Sequence, residues 1–134
     1  SLWSMNRQDQ IEAVFSHETA LVIYDVSDAN PHQLHMTVPK HFRRHSTPPA
    51  PVVFYKQQLS EKDIREGRGF KVTTPVRTIL DLLYANETDE RIIKQAIQQL
   101  FERGLITHHD VAMIKEKNTN RDIAKFLKKH LIFK

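Results

Sequence analysis

A change of period at Thr74-Pro75 constrains this chain more than any other feature. Before it, Phe70-Lys71-Val72-Thr73 alternates in the two-residue repeat of a half-buried strand. After it, Val76, Ile79, Leu80 and Leu83 fall on one face of a 3.6-residue helix. Thr74 is a good N-cap, and Pro75 suits the first helical position, where its missing N–H costs nothing. A strand must run straight into a helix here. That helix carries Arg77 and Asp81 one turn apart on the flank of its apolar face. Arg ahead of Asp is the weaker order for an exposed pair, worth only ~0.3 kcal/mol. Two readings stay open. The pair is a half-buried clamp whose guanidinium also takes a backbone carbonyl or second carboxylate from the sheet, or it contacts a ligand directly.

The other segments fall into order around that junction. Asn6 to Phe15 reads as a short helix, with Ile11, Val14 and Phe15 at helical spacing. Ala20 to Tyr24 is ambiguous, its β-branched residues favouring strand and the preceding Ser16 to Thr19 cap favouring helix. Gln33 to Val38 alternates as a half-buried strand, Val52 to Tyr55 is a second strand and Phe70 to Thr73 a third. Ser60 to Gly67 is polar and reads as one helical turn ahead of Gly69. The remainder is helical. Ile92, Ile93, Ala96, Ile97, Leu100 and Phe101 share a face, and Gly104 stands where a left-handed helix end belongs. Thr107 to Asp110 is a capping box before Val111 and Ile114, and Arg121 to His130 turns Ile123, Phe126 and Leu127 inward. The expected fold is α+β: one domain over 1–134, with a small, mainly antiparallel sheet in the N-terminal half packed by helices, and a helical C-terminal half. Residues 1–4, which lack an initiator methionine, read as an expression scar or linker ahead of a fragment of a longer protein.

Chemistry is constrained mostly by what the residues cannot assemble. The chain has no cysteine, which excludes a disulfide framework and a thiolate metal site and fits a reducing cytoplasm. The histidine pairs His32/His35, His41/His45 and His108/His109 form no His-Glu-x-x-His run. No Asp or Glu has lysine two positions on, as a metal-dependent nuclease of the restriction type requires. Three glycines cannot make a phosphate-cradling loop, and Gly-x-Ser-x-Gly is missing. No catalytic residue, metal or cofactor is expected. Net charge is +4, concentrated in a basic knot around Lys40, Phe42, Arg43 and Arg44 and in a last helix bearing Lys125, Lys128 and Lys129. Such patches contact nucleic acid or an acidic protein face, with Phe42 available to stack, or they simply solvate the surface.

The run "VTTPVRTILDLL" resembles the Thr-Pro-x-Arg-Thr-x-x-Asp-Leu signature of the AbiEi family, abortive-infection antitoxins and transcriptional regulators of viral defence. "FSHETAL" and "LHMTVPK" resemble, in the same order, the family's entry into this domain and its first strand and basic turn. The likeness spans roughly residues 14 to 84. Only Thr74, Pro75, Arg77, Thr78 and Asp81 match the signature by position. It implies a non-enzymatic, cytoplasmic bacterial protein in a type IV toxin–antitoxin system, with a helix at Ala20 to Tyr24. It also implies a functional link to a nucleotidyltransferase-type toxin, and DNA binding through an N-terminal winged-helix domain for which the residues before Phe15 leave no room. A stand-alone nucleic-acid-binding module using loop 40–45 and the Lys-rich last helix is the alternative. A divergent nuclease relative is the third reading, and the missing Asp/Glu-x-Lys argues against it.

Overall fold

The computed structural model describes residues 13–43 and 51–130. Five strands and five helices follow in order: β1 (Val14–Phe15), α1 (His17–Tyr24), β2 (Leu34–Val38), β3 (Val52–Lys56), β4 (Ile64–Gly67), β5 (Phe70–Thr73), α2 (Pro75–Ala85), α3 (Glu90–Glu102), α4 (His108–Lys117) and α5 (Arg121–His130). The α+β division holds, with a five-strand sheet first and four helices after it.

The sheet runs β3-β2-β1-β5-β4 and is mixed. The pairs β1·β2 and β4·β5 are antiparallel, whereas β1·β5 and β2·β3 are parallel. The expected antiparallel character therefore covers half of the pairings. Parallel neighbours need a long crossover, and β2 and β3 are far enough apart in sequence to allow one.

Two strands go beyond the three expected. Val14 and Phe15, expected to end a helix, form the two-residue strand β1 at the centre of the sheet; residues 6–12 of that helix lie outside the described residues. Ile64–Gly67, expected as part of a helical turn, is the outer arm of a hairpin with β5. A single 3-10 turn, Glu61–Asp63, precedes it. An edge strand exposes one side to water, so Arg65 and Glu66 carry no apolar alternation to betray it. The ambiguous Ala20 to Tyr24 run is helix, capped by a left-handed Asp25 (φ 56°).

The register assigns the faces. Phe15 pairs with Met36 and Val72, and Met36 with Phe54, so these side chains share one face. There Ala13, Met36 and Val38 form a small core, joined by Phe15, Phe42, Val52 and Phe54. The main core is built from helices and their connections: Leu21, Val26, Ile79, Leu82, Ile93, Ile97, Leu100, Ile106, Val111, Ile114, Ile123 and Leu127, with Ala96. No strand residue belongs to it. Between the two cores lie buried polar side chains from both layers: Ser16, His17, Thr19, Thr37, Thr73, Thr78 and Asp81. The second face of the sheet is thus covered mainly by a hydrogen-bonded seam, with Val14 a buried apolar residue on it.

Candidate functional site

The seam begins at the β5–α2 junction. Thr74 has extended backbone (φ −60°, ψ 158°), and its hydroxyl accepts the Arg77 N–H at 3.3 Å, with Pro75 next at the first helical position. A cap of this kind contributes about 1 kcal/mol. Thr78 donates its hydroxyl to the Thr74 carbonyl at 2.8 Å and lies 2.6 Å from the Thr73 hydroxyl. Each hydroxyl has one proton, so Thr73 is the donor of the second bond. Tyr24 adds a third tie, its hydroxyl donating to the Thr73 carbonyl at 2.7 Å. Thr73, Thr78 and Tyr24 therefore fasten helices to sheet.

Arg77 and Asp81 do something different. Arg77 Nε lies 3.0 Å from Asp81 Oδ1, with the two side chains 23% and 4% exposed. The approach is an ion pair off the hydrogen-bond axis: the buried Arg77 Nε and Asp81 Oδ2 have no hydrogen-bond partner among the described residues. Among the described residues the guanidinium takes no carbonyl and no second carboxylate from the sheet. Burial pushes the Asp81 carboxyl up to about 6, Arg77 pulling it back only in part and Asp63 adding to the rise.

The pair lies in the wall of an open cleft of about 490 Å³ formed by the end of β3, one side of α2 and the turn between α4 and α5. Lys56 and Lys117 bring two more cations, Leu80 and Leu83 an apolar surface, and Tyr84, 93% exposed, an open ring. Asp81 is more deeply buried than the flank of an apolar stripe would allow, because the buried face of α2 also takes in Thr78 beside Leu82.

A second cleft, about 210 Å³, opens on the far end of the seam and was not legible as a site in the sequence. The His17 ring stacks on Tyr55 with centroids 3.6 Å apart, and His35 Nδ1 lies 2.9 Å from the Tyr55 hydroxyl. Glu18, held by the Thr88 hydroxyl at 2.8 Å, and Glu87 line the same cleft. His35 and Tyr55 face the helices because their strands pair in register, Thr37 opposite Tyr55 and His35 opposite Val53. Alternation alone identified that face of β2 but not its partner strand. Burial, with His35 and Arg77 adding to it, drives the His17 pKa down to about 4, and burial with Glu87 and Glu18 drives Tyr55 up to about 12. His35 is lowered too, burial outweighing Glu18 and Glu87.

His17 Nδ1 lies 2.8 Å from Ser16 Oγ, which also accepts the Thr37 hydroxyl proton at 2.9 Å. This Ser–His contact orients the ring. Ser16 is 0% exposed, and no substrate carbonyl can reach it. His17 holds φ 53°, an uncommon conformation for a non-glycine residue, which places the ring over Tyr55 at the start of α1. No group of three or more metal-ligating side chains occurs among the described residues.

The basic patches sit apart from both clefts. Lys40 and Arg43 are exposed just beyond β2, whereas Phe42 is half-buried with its ring 5.6 Å from that of Phe54. Phe42 is thus engaged with the small core rather than standing free to stack. Arg44 and His45 lie outside the described residues. Lys125, Lys128 and Lys129 are exposed on α5, opposite Ile123 and Leu127, which pack toward α3 and α4. No helix among the described residues is long and apolar enough to cross a membrane. Comparison with protein-family profiles and with curated proteins returns no match for this chain.

Proposed function

We propose that the chain is a non-enzymatic antitoxin or transcriptional-regulator domain of the AbiEi type, acting in the cytoplasm in a bacterial type IV toxin–antitoxin system of phage defence. The observation that carries this reading is the place of the resembling residues. Thr74, Pro75 and Thr78 build the strand-to-helix junction, while Arg77 and Asp81 project from the same turns into the cleft beside it. A spacing that looks arbitrary in sequence is what one junction needs, which favours inheritance of the whole motif over coincidence.

On this reading the domain is a platform that neutralises a nucleotidyltransferase-type toxin, and operator DNA is bound mainly by a winged-helix domain outside this sequence. Co-expression tests it. The chain should restore growth to cells producing the toxin encoded beside it, and a chain that folds but leaves toxicity unchanged would overturn the platform reading.

The exposed lysines of α5 favour one second reading, a stand-alone nucleic-acid-binding module. A titration against promoter-region duplex and a scrambled control at two salt concentrations separates them. Phosphate contacts make affinity fall steeply with salt. Salt-sensitive binding to both duplexes, lost on Lys125→Glu/Lys128→Glu/Lys129→Glu without a change in melting temperature, would put the module first. No binding leaves the antitoxin platform.

A further inference from the structure

The Arg77–Asp81 cleft has a chemistry that neither the antitoxin reading nor the basic patches use. Asp81 is 4% exposed, yet its Oδ2 has no hydrogen-bond partner among the described residues. An unpaired buried carboxylate oxygen costs free energy, and an N–H donor that enters the cleft and displaces the side chains covering Oδ2 would recover it. Lys56, Arg77 and Lys117 set three cations around this one carboxylate, so the site as a whole favours an anion of more than one charge. Leu80 and the open ring of Tyr84 offer a flat apolar surface between the two polar demands. The volume, about 490 Å³, lies in the ~300–1,000 Å³ range of small-molecule sites.

We infer that this cleft binds a nucleotide unit, its phosphate on Lys56, Lys117 and Arg77, its base against Tyr84 and Leu80, and a base amino group donating to Asp81 Oδ2. A phosphate monoester supplies the charge, an aromatic base the flat face, and an exocyclic amine the missing donor. A zwitterionic amino acid would satisfy Asp81 but leave most of the positive charge unanswered. The inference stands on the cleft alone and survives or fails independently of the antitoxin reading. A nucleotide within a single strand presents the same base face and amine, with two flanking singly charged phosphodiesters in place of the monoester.

The test is a titration of the full chain, followed by amide shifts, with AMP, CMP and GMP. Purine riboside 5′-phosphate, whose base carries no N–H donor, adenosine, inorganic phosphate and a short single-stranded oligonucleotide complete the set. At least one amine-bearing nucleotide should bind saturably below about millimolar, shifting residues around Tyr84 and Arg77. Purine riboside 5′-phosphate should bind at least about tenfold more weakly than AMP if AMP is the best ligand, since a hydrogen bond to a charged group is lost. Where GMP is the best ligand, inosine 5′-phosphate replaces it in that comparison. Lys117→Ala, an exposed position, should weaken binding severalfold without moving the melting temperature, and Asp81→Asn should abolish the preference for the amine. An oligonucleotide that outcompetes the mononucleotides at the same residues assigns the site to a strand, and parity assigns it to a free nucleotide. Absence of saturable binding by all three nucleotides, equal binding with and without the amine, or indifference to Lys117→Ala would each overturn the inference.

Discussion

Asp81 and His17 lie in the same polar seam and respond to acid in opposite senses. Folded Asp81 titrates near 6, above the ordinary carboxylate range. Between about pH 4 and 6 the native state keeps a proton that the unfolded chain has released, so this residue's contribution is present at low pH and is lost as pH rises. The loss is on the order of 3 kcal/mol. His17, depressed to about 4, works the other way: its contribution is present above about pH 6.5 and is lost as pH falls. The two slopes oppose each other between about pH 4 and 6. Asp81→Asn removes the first and leaves the second. The variant should melt at least as high as the parent at pH 7.5 and then lose stability more steeply toward pH 4.5. A clamp that held the fold together through its charge would instead make Asp81→Asn less stable at pH 7.5, and thermal melts across that range decide between them. The Arg–Asp spacing was legible in the sequence. The choice between clamp and contact was not, because it depends on whether a lone pair on Oδ2 meets a partner, and that is set by β3 and the α4–α5 turn, far away along the chain.

At the scale of elements, local chemistry read well wherever one residue sufficed to set the backbone. Gly104 does adopt the left-handed conformation (φ 73°) that ends α3, and Thr107 and Asp110 exchange both bonds of their capping box at 2.9 and 3.1 Å. The misses share a cause. β1 is two residues long and β4 is a polar edge, so neither has enough alternating side chains to mark a strand, and both exist because neighbouring strands pair with them, β2 and β5 with β1 and β5 with β4. The direction of β2·β3 pairing is likewise a tertiary property. The junction itself makes a testable device. Thr78→Val leaves the buried Thr73 hydroxyl without its acceptor and should cost about 1–3 kcal/mol, while the Thr74 carbonyl keeps its backbone bond from the Thr78 N–H. Thr73→Val/Thr78→Val removes both members of the pair and should cost clearly less than the two single changes summed. Urea titrations of the three variants give the coupling, and strict additivity would mean that the 2.6 Å contact contributes nothing.

The whole molecule consists of two apolar cores of unequal size joined by that seam. Among the described residues, thirteen buried residues make up the helical core and three the sheet core, a disparity large enough to set an order of local stability. A sheet with so small a buried face does not persist alone in water, so it depends on the helices through the seam bonds of Ser16, Thr19, Thr37, Thr73 and Thr78. The helices depend less on the sheet, because their core cluster contains no strand residue. Native-state hydrogen exchange should show this asymmetry. Ile97→Ala, a cavity of about 2–5 kcal/mol in the helical core, should reduce protection of α3 and of the β2 and β5 amides by the same amount. Met36→Ala should reduce protection of β2 and β5 by a similar free energy while leaving the slowest α3 and α4 amides less affected. Equal losses in both layers from Met36→Ala would mean that the polar seam transmits as much cooperativity as a continuous apolar core, and that the molecule opens only as one unit.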